Sequence, residues 1–116
     1  MELILAQKEK QLEMKRGINM QIIPITPVAS QSFAVQLGTQ NCKINLYQKN
    51  TGLYFDLILE GTEIVSSMIC LNEVGLVRET YLGFVGQLLF IDTQGSSDPY
   101  YTDLGTRYIL TYWTQT

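Results

Sequence analysis

Between Cys42 and Leu59 apolar residues fall at every second position, and the alternation continues through a turn without losing step. Cys42, Ile44 and Leu46 point one way and Lys43, Asn45 and Tyr47 the other; Leu53, Phe55, Leu57 and Leu59 then resume the apolar face. A period of two belongs to strands with one buried side. Lys49-Asn50-Thr51-Gly52 supplies the turn, with a glycine free to take positive φ. Slipping the register by one residue would bury Asp56 and Lys43, so the pairing is strongly specified. Glu60-Gly61 makes a second tight turn into Thr62 to Leu71, which predicts a three-stranded meander.

The flanking sequence extends the β pattern. Gln21 to Ile25 reads as a first strand, at an edge or the entry to a sheet because Pro24 has no N–H to donate. Pro27 ends that run, and Phe33, Val35 and Leu37 alternate in the next. Phe84 to Ile91 is nearly continuous apolar sequence, as in a strand buried on both faces or bulged near Gly86. Residues 72–82 fit either one helical turn or a short strand. Asp92 to Thr106 is the longest loop, and Arg107 to Trp113 closes the chain as a strand. The expected fold is all-β: a small antiparallel sandwich or partly open barrel of six to seven strands, formed by residues 20–116 as a single domain.

Residues 1–19 differ in character. ELILAQKEKQLEMKR, from Glu2 to Arg16, has no Gly or Pro, is rich in helix formers and ends in basic residues before Gly17. Its apolar residues bunch at Leu3, Ile4, Leu5 and Ala6 and thin to Leu12 and Met14, a poor stripe for a helix standing alone, so it needs a partner to dock on. A second reading places the native start at Met20, because Lys15-Arg16-Gly17 can be encoded by a purine-rich stretch like a bacterial ribosome-binding site. The first 19 residues are thus either a helical extension or not part of the native product.

Charge and composition then narrow the function. The 116 residues contain no histidine, which excludes imidazole-based nucleophilic systems and the common zinc sites. A net charge of −3 argues against nucleic acid and against a membrane surface as partners. No run is apolar enough for a bilayer-spanning helix and no secretory signal pattern is present, so the expectation is a chain made in the cytoplasm. Cys42 and Cys70 sit in apolar strand-like runs and read as buried free thiols. Asp92, Asp98 and Asp103 share the long loop, but their spacing does not match a calcium-binding loop, and beside Gly, Ser and Pro they read as turn formers. A glycosidase-like pair of Asp92 and Asp98 lacks any accompanying substrate motif, and Gly83-Phe84-Val85-Gly86 lacks the further residues of a phosphate-binding loop. No enzyme activity, catalytic residue, cofactor, metal or small-molecule substrate is expected.

Seven tyrosines and one tryptophan carry more information. Several lie where alternation turns them from the main core, as amphipathic aromatics do at protein contacts; a second sheet packed on that face would explain them equally. The candidate interface residues are Tyr47, Tyr54, Arg78, Tyr81, Tyr100, Tyr101, Arg107 and Trp113, with Arg78 and Arg107 available for ion pairs at an assembly surface or on an ordinary rim.

The stretches MQIIPI (20–25), NCKINLYQKNTGLYFDL (41–57), YLGFVGQLLFIDTQGSSDPYYTDLG (81–105) and RYILTYW (107–113) resemble a family of small contractile-phage tail proteins, the cyanophage-type baseplate plug domain. The resemblance spans Met20 to Trp113 and leaves residues 1–19 outside. It implies a virion structural protein of the tail tip, in several copies around the tail axis, helping to plug or organise the tube through contacts with hub, tube or baseplate proteins. It directs attention to Tyr47-Gln48-Lys49, Thr51 to Asp56, Tyr81 to Phe84 and Asp92 to Arg107. The alternative from the residues is a carbohydrate or cell-surface binding module that stacks sugars on exposed aromatics.

Overall fold

A computed structural model of the chain describes residues 18–78 and 83–115. Its seven strands are β1 (Ile18–Ile23), β2 (Ser30–Leu37), β3 (Gln40–Lys49), β4 (Gly52–Leu59), β5 (Thr62–Ile69), β6 (Gln87–Asp92) and β7 (Tyr108–Gln115). They form two antiparallel sheets, ordered β2-β3-β4-β5 and β1-β7-β6. This is the sandwich of the two architectures expected; the sheets do not close into a barrel.

The predicted hairpin register holds: Cys42 faces Leu59, Leu46 faces Phe55 and Tyr47 faces Tyr54. Gly52 has φ +144°, so this turn needs glycine for its backbone; a Cβ there would also stand 2.6 Å from Ile69 Cδ1, the movable end of a side chain. Glu60 and Gly61 both have positive φ, the pattern of a type I′ turn, whose twist matches that of the strands it joins. The meander gains β2 as a fourth member through the tight turn at Gly38-Thr39.

Strand ends differ from the expectations for identifiable reasons. β1 starts at Ile18 and stops before Pro24, which cannot continue the ladder. β6 begins only at Gln87. Val85 N–H donates to Gln40 Oε1 (2.8 Å), and Val85 O accepts from Gln40 Nε2 and the Tyr112 hydroxyl, so side chains take the bonds a strand partner would have made. Residues 72–78 form neither a helical turn nor a strand. They run beside β6, with Glu73 N–H donating to Phe90 O and Leu76 N–H to Leu88 O (2.8 Å each), and cover that sheet edge. Residues 79–82, like the N-terminal helix expectation for 2–16, lie outside the described residues.

The main core lies between the sheets. Leu37, Ile44, Leu46, Leu53, Phe55 and Leu57 from one side meet Ile23, Leu88, Phe90, Tyr108, Leu110 and Tyr112 from the other. Phe84 meets the Tyr112 ring edge-on, with centroids 5.7 Å apart, and Leu76, Val77 and Leu104 close the ends. Cys42 and Cys70 are free and buried here, and burial pushes both thiols up.

Candidate functional site

The two sheets present unlike outer faces. On the four-stranded sheet polar and aromatic side chains predominate at the outward positions, with Ala34, Ile58 and Ile69 among them, and a hydrogen-bonded chain of the polar ones crosses all four strands. Ser32 Oγ donates to Asn45 Oδ1 (2.7 Å), Asn45 Nδ2 donates to Asp56 Oδ2 (3.1 Å), and Tyr47 OH donates to Asp56 Oδ1 (2.9 Å). The β4–β5 register shifts beside Asp56, and Ser67 takes φ +53°. Its N–H, freed from the ladder by this bulge, donates to Asp56 Oδ1 (2.8 Å). Burial raises the Asp56 pKa, but the Ser67, Asn45 and Tyr47 bonds and the nearby Lys49 charge outweigh it and hold the carboxyl below its ordinary value. Tyr47 is shifted up by burial and by its carboxylate partner.

At the β3–β4 end of this face the Tyr47 and Tyr54 rings stack, centroids 6.1 Å apart and planes 19° from parallel. Lys49 Nζ lies over both, 5.4 and 5.2 Å from the centroids, and Thr51 Oγ1 is 2.6 Å from Tyr54 OH. The second sheet packs on the opposite side, against Ile44, Leu46, Phe55 and Leu57, so it does not account for these tyrosines.

The long loop comes to the same end. Tyr101 opens a single 3-10 turn (Tyr101–Asp103), and its N–H donates to Gln48 Oε1 (3.2 Å), tying loop to hairpin. Tyr100 is 49% exposed, its ring centroid 4.9 Å from that of Tyr101. Between loop and hairpin tip runs a groove of about 560 Å³, lined on one side by Lys49, Asn50 and Thr51 and on the other by Pro99, Tyr100 and Tyr101.

The loop is held at its base by one ion pair. Arg107 Nε and Nη2 donate to Asp92 Oδ1 and Oδ2, 2.9 Å each, and the Gln94 and Ser97 N–H groups donate to the same carboxylate (2.9 and 2.8 Å). The Asp92 side chain is fully buried. The Arg107 bonds, together with the two N–H donors, hold its carboxyl well below the usual carboxylate range despite that burial. Asp98 Oδ1 accepts from Asn72 N–H (2.9 Å), which fastens the loop to the segment beside β6. The Asp92 and Asp98 carboxylates therefore organise backbone, while Asp103 acts through its carbonyl, which accepts from the Thr106 hydroxyl (3.1 Å); among the described residues no group of three or more acidic, histidine or cysteine side chains gathers in one place.

Of the eight candidate residues the structure brings together Tyr47, Tyr54, Tyr100 and Tyr101 at one end. Arg107 is engaged with Asp92 and lies 5.1 Å from the Tyr108 ring centroid. Arg78 is exposed at the rim beside β6, where its Nε donates to Gly75 O (3.1 Å). Trp113 is on the outer face of the other sheet, its Nε1 donating to Thr111 Oγ1 (2.7 Å). Tyr81 lies outside the described residues. Lys49 and Pro99 are not among the eight candidate residues, although both lie in stretches to which the family resemblance directs attention. Lys49 is legible in retrospect, one step beyond the Tyr47–Tyr54 pair in the hairpin register, whereas Pro99 reaches the groove only through the tertiary path of the loop.

Residues 20–115 match a family model described as cyanophage baseplate Pam3 plug gp18. The matched span holds every residue of the groove, the tyrosine pair and the Asp92–Arg107 anchor. No curated protein matches the chain.

Proposed function

The chain belongs to the cyanophage baseplate Pam3 plug gp18 family, and from that membership we propose that it helps to plug or organise the tail tube near the central hub through protein-protein contacts. Several copies stand around the tail axis, within the virion. The contact surface is the end of the molecule where Tyr47, Tyr54 and Lys49 adjoin the groove walled by Tyr100 and Tyr101.

The observation that carries the assignment of this surface is the convergence of two sequence-distant segments on one groove, with an exposed tyrosine and a lysine standing over two rings. Tyrosine offers a large contact area with few rotatable bonds, and stacked rings restrict it further, which lowers the entropy lost on docking. The loop wall is pre-set as well, by the anchor at Asp92 and the Tyr101–Gln48 bond, so a partner meets a formed surface.

Mass spectrometry of purified virions and co-expression with tail hub and tube proteins test this. The expected result is presence in the particle and co-purification with a hub or tube protein. Absence from virions together with no association overturns it.

A further inference from the structure

The outer face of the three-stranded sheet is largely apolar where that of the four-stranded sheet is largely polar. By register, Ile18, Met20 and Ile22 of β1, Ile109 and Trp113 of β7, and Leu89 and Ile91 of β6 share this face, on the side away from the main core, with Gln115 and Gln87 at its end beside Trp113. Met20, Ile91 and Ile109 form a cluster of their own, with Leu89 and Trp113 packed against it. Thr111 at the centre is fully buried, while Ile22 is 46% exposed. β7 thus buries side chains on both of its faces, as the central strand of a three-layer arrangement does. Among the described residues the packing partners of this second cluster come only from the same three strands. Met20, Ile91 and Ile109 are buried on a face to which the other sheet does not extend, and Ile22 is open at its edge, as on the inner side of a further layer.

We propose that residues 2–16 of this chain supply that layer, docking in cis over Met20, Leu89, Ile91, Ile109 and Trp113. Three observations select this occupant. The segment is joined directly to the face, because the described chain begins at Ile18, the first residue of the edge strand β1. Its sequence has the complementary need: Leu3, Ile4, Leu5, Ala6, Leu12 and Met14 are too few and too bunched to stabilise a helix in water. The dimensions agree, since 15 helical residues span about 22 Å and a six-residue strand about 20 Å. A hollow of about 470 Å³ beside Ile18 and Trp113, where the segment enters, offers room for one of its apolar side chains. The segment precedes the family match at residue 20, so the cover belongs to this chain's own extension and is independent of the tail-contact surface at the groove.

Trp113 is the only tryptophan of the chain and stands on this face, which makes it a direct reporter. Its emission and acrylamide quenching are compared in the full chain, in a chain starting at Ile18, and in the full-length Ile4→Asp/Leu5→Asp variant, which keeps the reporter usable if the shortened chain does not fold. Far-UV circular dichroism identifies the folded samples. Docking in cis predicts a red-shifted emission and a loss of protection from acrylamide in each folded variant, with the full chain monomeric by light scattering. Unchanged emission and quenching in the folded variants overturns the proposal. So does a full chain whose indole becomes exposed on dilution as an oligomer dissociates, since a second copy is then the cover.

Discussion

Asp92 shows how one side chain fixes a long loop. Its carboxylate accepts two bonds from Arg107 and one each from the Gln94 and Ser97 N–H groups, so the anion replaces its hydration with four directed donors. A carboxyl whose folded-state pKa is depressed adds stability that is fully present above its unfolded value and is lost as pH falls toward the folded one. Thermal midpoints should therefore fall as pH drops from about 5 to about 2. Asp92→Asn should be less stable by several degrees at neutral pH and lose part of that acid dependence; an unchanged pH profile would remove the role given to this pair. Gly105 sets a steric limit in the same loop. Its φ is +86°, and an added Cβ would stand 2.5 Å from the Ile25 carbonyl oxygen, where only backbone movement relieves the clash. Gly105→Ala should cost about 2 kcal/mol or more in denaturant titrations.

Among the elements, the β3–β4 hairpin was legible almost completely. Its alternation, turn and glycine agree with one another, and each local choice supports the same register. The Tyr47–Tyr54 pair followed from that register alone. The β4–β5 pairing was legible only in outline, because the bulge at Ser67 has no local signature: it exists because the Asp56 carboxylate, reaching from the neighbouring strand, accepts the freed N–H. Asp56→Ala removes that acceptor and should destabilise the sheet by about 1 to 2 kcal/mol. Hydrogen exchange checks the assignment, with Ser67 losing protection before the central residues of β3. Gln40 and Gln87 acted in the same hidden way. Their side-chain amides hold Val85 and Val77 respectively, which delays the start of β6 and settles the segment beside it.

At the scale of the whole molecule the sandwich is asymmetric, with a largely polar outer face bearing Tyr47 and Tyr54 and a largely apolar one bearing Trp113. Phe55, fully buried between the sheets, holds the common core, and Phe55→Ala should cost about 3 to 5 kcal/mol, a large share of what a domain of this size possesses. The groove end should behave differently. Tyr100 is half exposed, so Tyr100→Ala should leave the unfolding midpoint nearly unchanged while weakening association with a tail partner by about tenfold or more. Equal affinity of the two proteins in a binding titration would move the contact surface elsewhere.

Sequence by itself determined the all-β class, the central hairpin and its register, and the buried state of the two cysteines, because period-two alternation and turn chemistry act between near neighbours. Only the tertiary structure decided that the strands divide four and three, that Tyr100 and Tyr101 stand beside Lys49, and that Arg107 closes on Asp92. Those outcomes depend on where distant segments cross. Side-chain hydrogen bonds and packing between the sheets fix such crossings, and no spacing along the chain records them.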